Sequence, residues 1–198
     1  MRKLDRPKQP DCLEIHAATW TETFVAARRK NPKHRFSWPK PDCYQAIRKK
    51  LLVMTQAQCA FCDEVLGTGS RETVEHFRPK SNIQFQSLAY QWDNLFPCCD
   101  LCQSQKREQF EEGLLKPDEA DFAFARYFVV NFKTGEIEPS PHADQPLQDR
   151  AKITIQIYGL NLPTRNNARK REWEHFCRDP EPFLDDYNYR FFLDDLSA

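Results

Sequence analysis

An α+β fold is the expectation for this chain of 198 residues, and it rests on the order of its patterns. Amphipathic helical stretches occupy both flanks. Short β-branched and aromatic runs lie between them, and two Cys-x-x-Cys pairs, Cys59/Cys62 and Cys99/Cys102, bracket the first two of those runs. Each short loop brings two sulfurs to one point, and four thiolates suit a tetrahedral structural zinc at about 2.3 Å from each sulfur. The expected centre is therefore a strand, strand, helix unit with zinc at its base, wrapped by helices from both ends.

Residues 13–29 read as the first helix, with Ile15, Ala18, Trp20, Phe24, Val25 and Ala27 forming an imperfect apolar stripe. A Pro-punctuated basic stretch over 31–41 follows. The second helix starts at Asp42 as N-cap and carries Tyr44, Ile47, Leu51 and Leu52 on one face. After the knuckle Cys59-Ala-Phe-Cys62, residues 73–77 read as a strand that ends at Arg78-Pro79, and 94–96 as its returning partner. Pro97 and Cys98 are expected to turn the chain into a helix over 100–111. Farther on, 127–132 and 136–138 flank Lys133-Thr134-Gly135 as a hairpin. Helices are then expected over 148–158 and 164–176, the latter capped by Thr164 and carrying a basic run at Arg165, Arg169, Lys170 and Arg171. The organisation is a basic helical region over 1–58, a zinc-braced core over 59–112, and a hairpin-plus-helix region over 113–198 with an acidic tail.

The formal net charge of zero conceals an uneven distribution. Nine Lys or Arg residues and one acid, Asp42, lie between Arg28 and Lys50, whereas 179–198 carries six acids against Arg190 alone. The first offers phosphate contacts; the second, acidic and aromatic from Phe183 to Leu196, is the candidate segment for docking a protein partner. The start has no apolar stretch behind its positive charge, so no secretory signal or membrane span is expected and a cytoplasmic location is. In a reducing compartment eight cysteines point to metal, not disulfides, and Cys12, Cys43, Cys98 and Cys177 read as buried free thiols. His16, His34, His142 and His175 carry no motif and read as structural or surface residues.

Inside the loop that the cysteine pairs close stand Glu75, His76 and Asn94. An acid, a histidine and an asparagine are residue types that hold a hard divalent cation and activate a water against a phosphodiester. The run from Cys59-x-x-Cys62 through Glu75-His76-Phe77-Arg78-Pro79-Lys80, Trp92-Asp93-Asn94-Leu95 and Cys99-x-x-Cys102-x-x-x-Lys106 resembles an HNH endonuclease of the zinc-containing, treble-clef-like ββα-metal kind. More narrowly, the opening Met1-Arg-Lys-Leu-Asp-Arg and the phrase His76-Phe77-Arg78-Pro79-Lys80 resemble the PtuB-like HNH proteins of Septu and retron-linked antiphage systems.

That resemblance implies roles. His76 would be the general base that deprotonates the attacking water, and Glu75 would ligate a catalytic Mg2+ or Mn2+. Asn94 would hold the loop and orient the histidine. Gln103 stands where the family usually has asparagine or histidine; its longer amide would be the second ligand, and the departure leaves the ion less tightly held. Arg78, Lys80, Lys106 and Arg107 are the expected phosphate contacts. The substrate would be DNA or RNA, read without base specificity by the core. Implied partners are an ABC-type ATPase subunit resembling PtuA and a retron reverse transcriptase with its DNA/RNA product. Two other readings stay open: a zinc-stabilised binding subunit with a weakened or inactive HNH site, and a restriction or homing-type HNH enzyme that acts alone.

Overall fold

The computed structural model describes residues 1–67, 71–178 and 183–193. Helices α1 (Asp11–Lys30) and α2 (Pro41–Thr55) come first, then strands β1 (Glu72–His76) and β2 (Leu95–Cys99) and helix α3 (Asp100–Lys106). A short helix α4 (Phe124–Tyr127), strands β3 (Phe128–Asn131) and β4 (Glu136–Pro139), and helices α5 (Gln145–Tyr158) and α6 (Pro163–Arg178) complete the order. The two sheets are separate antiparallel pairs, β1 with β2 and β3 with β4. The chain is thus mixed α+β, as expected.

Local chemistry sets several boundaries away from the expected ones. The α1 helix starts two residues earlier than expected, at Asp11, because Asp11 and Glu14 favour the positive end, and Arg28, Arg29 and Lys30 suit the negative end. Pro41, not Asp42, opens α2, where a missing N–H costs nothing; α2 then buries Cys43, Ile47, Leu51 and Thr55 at helical spacing. Pro163 likewise lies inside α6, ahead of the expected Thr164 cap. The expected turn at Pro97-Cys98 is instead part of β2, with Pro97 opposite Val74. A two-stranded sheet consists of edges, so a residue without an N–H is tolerated there. The α3 helix ends at Lys106, short of Glu111, where Arg107 takes a φ of 49° and Phe110 drops against Phe77 and Phe85.

Two apolar clusters lie on either side of the β1–β2 pair. One gathers Leu13, Phe24, Ile47 and Leu51 of α1 and α2 with Tyr90, Trp92 and Leu95. The other gathers Phe61, Phe96, Tyr127, Phe128, Ile157 and Tyr158 around the cysteines, with Phe61 stacked on Tyr158 at 4.0 Å. At the tip of the β3–β4 hairpin Gly135 has a φ of 76° and lies so close to α6 that an added Cβ would fall 2.2 Å from the Asn166 carbonyl oxygen. Arg169 is buried and donates to the Gly135 carbonyl at 2.7 Å, so part of the expected basic run of α6 is internal framework.

Two expectations fail here. From Tyr187 to Leu193 the tail is not a free docking segment: Tyr187, Tyr189, Arg190, Phe191, Phe192 and Leu193 are buried, and Arg190 grips Asp63 through two nitrogens, the shorter contact at 2.7 Å, whereas Phe183, Asp185 and Asp186 ahead of them are exposed. Fifteen or so residues rich in aromatic rings gain more from a core than from water. Residues 179–182 and 194–198 of that segment lie outside the described residues. The second failure concerns the thiols. Cys12 and Cys43 form a disulfide that ties α1 to α2, with Cα atoms 5.8 Å apart, and Cys177 is exposed. Cys98 alone of the four is a buried free thiol. Among the described residues no helix is long and apolar enough to cross a membrane.

Candidate functional site

The four motif cysteines converge. Cys59, Cys62, Cys99 and Cys102 are buried, and their sulfurs all lie within 4.8 Å of one another, with Cys62 and Cys99 at 3.6 Å. A tetrahedral ion with bonds of about 2.3 Å has sulfur–sulfur edges of about 3.8 Å, so the group can hold one metal ion without rebuilding. Its scaffold is local: the Asp63 N–H returns to the Cys59 carbonyl at 2.9 Å, and the Cys99 sulfur accepts from the Cys102 N–H at the start of α3. A contributor unseen in the sequence is Arg165 of α6. It is buried, and its guanidinium donates to the Cys102 sulfur at 3.1 Å and to the Cys99 sulfur at 3.6 Å. A divalent ion on four thiolates keeps a net negative charge, which a buried guanidinium offsets.

Successive residues of a strand face opposite ways, and β1 uses this to send Glu75 and His76 to different sides. Glu75 turns to α3. Lys106, wholly buried, donates to its carboxylate at 2.7 Å and to the His76 carbonyl at 3.0 Å, and the Gln103 side chain lies beside the same carboxylate and helps to favour its charged form. Burial raises the Glu75 pKa above its ordinary value, and the Lys106 charge works against that rise. Lys106 was expected on a phosphate. The structure instead uses it as the internal counter-charge of Glu75, because a carboxylate this deep needs a partner.

His76 turns the other way, beneath the connector between α1 and α2. Its ring meets Phe36 edge-on at 5.1 Å and lies parallel to Trp38 at 6.3 Å. Nε2 sits 2.9 Å from the Ala89 carbonyl oxygen, which can only accept, so Nε2 carries the proton and Nδ1 keeps its lone pair. The Lys80 ammonium donates to Nδ1 at 3.3 Å. Burial, and then the Lys80 charge, hold the His76 pKa well below the usual histidine range, so the ring is neutral at pH 7. A neutral imidazole with one oriented lone pair is able to take a proton.

Asn94 fastens the segment between the strands. Its Oδ1 accepts from the Arg78 N–H at 2.8 Å, and its Nδ2 donates to the Arg78 and Leu88 carbonyls at 3.0 and 3.1 Å. Leu88 adjoins Ala89, so the amide and the histidine hold the same turn. Arg78 lies over the rings of Phe85 and Phe110, half-exposed, and Arg107 is exposed at the end of α3. Glu75, Gln103 and Lys106 are thus brought together, His76 and Lys80 form a second group, and Arg78 and Arg107 stand apart. The sequence reading missed the Ala89 carbonyl, Arg165, and the roof of Phe36 and Trp38. Only the last left a signal, two aromatics set within a basic run.

No family model matches the chain. The Septu protein PtuB of Bacillus mycoides (strain KBAB4) is 30% identical over an alignment of 185 residues, which covers 73% of this chain and 60% of that protein. The chain therefore spans less than two thirds of the relative's length. A likeness that runs through most of the chain agrees with the cysteine tetrad and with the family phrases around His76, and over the matched stretch the chain is a PtuB-like protein.

Proposed function

We propose that the chain is a metal-dependent HNH endonuclease that hydrolyses nucleic-acid phosphodiester bonds, with residues 59–112 as a ββα-metal core braced by zinc on Cys59, Cys62, Cys99 and Cys102. The observation that carries the reading is His76: a neutral ring whose Nε2–H is fixed on the Ala89 carbonyl and whose Nδ1 lone pair is aimed at a cationic contact, Lys80. His76 takes the proton of the attacking water at Nδ1. Asn94 keeps the turn that orients it. Lys80, Arg78 and Arg107 supply positive charge for the phosphate. Glu75 and Gln103 face the other side of β1 from His76, bridged to it by Lys106 on the His76 carbonyl, and offer oxygens for a hard ion; a bound Mg2+ or Mn2+ would polarise a phosphate that reaches round the strand end to His76 and stabilise the departing oxygen. The likeness to a Septu protein supports a role in antiphage defence beside an ABC-type ATPase subunit resembling PtuA, with a retron product as a further partner.

The test is incubation of the purified chain, with and without that ATPase, with plasmid, single-stranded DNA and RNA in Mg2+ or Mn2+, beside His76→Ala. Cleavage that the substitution leaves unchanged would refute the mechanism. One observation favours a second reading, a zinc-stabilised binding subunit with a weakened site. The Lys106 ammonium already occupies the cation position on Glu75, 2.7 Å from its oxygen. Nucleic-acid binding without cleavage under every one of those conditions would select it.

A further inference from the structure

The connector between α1 and α2 forms a surface that the hydrolytic roles do not use. With the last turn of α1, from Arg28 to Lys40, it carries six Lys or Arg residues and no acid, interrupted by His34, Phe36 and Trp38. Arg28 spends its own guanidinium on structure, donating to the His34 carbonyl at 3.1 Å and to the Ser81 carbonyl at 3.0 Å, and so pins the connector to the turn after β1. Between these parts runs a groove of about 350 Å³ lined by Lys33, His34, Arg35, Phe36, Lys80 and Glu108. Lys33, His34 and Arg35 expose their side chains, and the Lys80 ammonium lies 5.2 Å over the Phe36 ring. Lys80 also touches His76, so the groove leads to the base.

Resting on the nuclease reading, we infer that this groove is the entry track for one unpaired nucleic-acid strand, with Lys33, Arg35 and Lys80 on its phosphates and His34 and the rim of Phe36 against its bases. A positively charged groove interleaved with rings is how sequence-tolerant single-strand binders hold a chain, since every base has a face to stack and every link a charge. The size of the space favours a single strand. A volume of about 350 Å³ suits part of one strand, whereas the body of a duplex would have to lie across its mouth. His76 is recessed below Phe36 and Trp38, only 3% exposed, so a phosphate reaches Nδ1 on a chain flexible enough to be drawn inward. Lys80 joins the two events. A phosphate that takes up its ammonium frees the Nδ1 lone pair that it covers at rest. Glu108, which accepts from the Ser81 hydroxyl, repels phosphate and marks where the track stops.

The experiment is fluorescence anisotropy with labelled 12-nucleotide DNA and RNA single strands and the matching duplexes, titrated with the 198-residue chain carrying His76→Ala, which keeps the probe intact. Single strands should bind about tenfold or more tightly than duplexes, and the DNA and RNA arms say which sugar is preferred. Lys33→Glu with Arg35→Glu should weaken single-strand binding at least tenfold and lower the salt slope by about 1.4, two contacts at about 0.7 each. Lys152→Glu on α5 should bind like the parent. Duplex binding as tight as single-strand binding, or a double variant that binds like the parent, would overturn the track. Selective single-strand binding together with no cleavage by the wild-type chain, with or without the ATPase and in Mg2+ or Mn2+, would support the track and sink the nuclease reading.

Discussion

The Lys106 ammonium and the Glu75 carboxylate meet at 2.7 Å with their side chains 0% and 7% exposed. Breaking a buried pair from one side leaves an uncompensated charge, which costs about 3–5 kcal/mol. Lys106→Met should lower unfolding free energy by that amount in a urea titration at pH 7. The double variant Lys106→Met with Glu75→Gln should recover most of the loss. A single variant that loses under about 1 kcal/mol would show that the pair does not hold α3 to β1.

His76 sets the acid side of any activity. Protonation removes the Nδ1 lone pair, and burial and Lys80 push the pKa down, so cleavage should persist as pH falls through the ordinary histidine value of about 6.5 and fail only below it. Phe36→Ala admits water to the ring and should move the acid limb upward. A wild-type limb centred at or above 6.5 in a kcat/KM profile would contradict the burial argument. His76→Ala should cost about 10²–10⁴-fold at every pH where the wild type cuts.

Arg165 should tighten the hold of the thiolates on their metal. Arg165→Met removes the guanidinium that donates to the Cys102 and Cys99 sulfurs, and metal affinity should fall about 10–100-fold, as for other outer partners of metal ligands. The readout is zinc released to a chromogenic chelator over time. Arg165→Lys keeps the charge and should fall between the two. Equal release by all three chains would remove Arg165 from the metal site.

Asn94→Ala strips the Arg78 N–H and the Leu88 and Arg78 carbonyls of their partner. Each buried group left unsatisfied costs about 1–3 kcal/mol, so both stability and kcat should drop. Hydrogen exchange should quicken at Arg78 first. An unchanged Arg78 amide would mean that the turn holds itself.

Arg190→Met strands Asp63 beside the cysteine knuckle and should destabilise the chain by about 3–5 kcal/mol. A melting curve measures it. Full stability after that change would restore the tail as a detachable segment.

How much of this was legible depended on range. The cysteine pairs could be read because each needs only four residues to declare its geometry, and the strand end at Arg78-Pro79 because proline acts on its neighbours. Glu75 and His76 could be placed on β1 for the same reason. Lys106 could not, because a lysine on a short helix reads as solvated until the fold brings Glu75 beneath it. The tail misled for a related reason: acids and aromatics in one run suit a docking peptide as well as a buried strap, and Asp63, far back in the chain, decides between them. Cys12 and Cys43 are separated by 31 positions, so no local spacing announced their bond. The early stop of α3 has no glycine or proline to signal it, only the φ of 49° at Arg107.

The arginine that faces the thiolates has a consequence for how the protein is made. All four sulfurs have left the ribosome once Cys102 has, but Arg165 has not, and synthesis proceeds at about 5–20 residues per second. For several seconds a nascent chain can load its metal while the cluster still lacks its counter-charge. A message cut short before α6 should therefore yield a product whose four thiolates hold the proposed zinc less tightly than those of a chain carrying Arg165, so metal retention would report whether translation had passed α6.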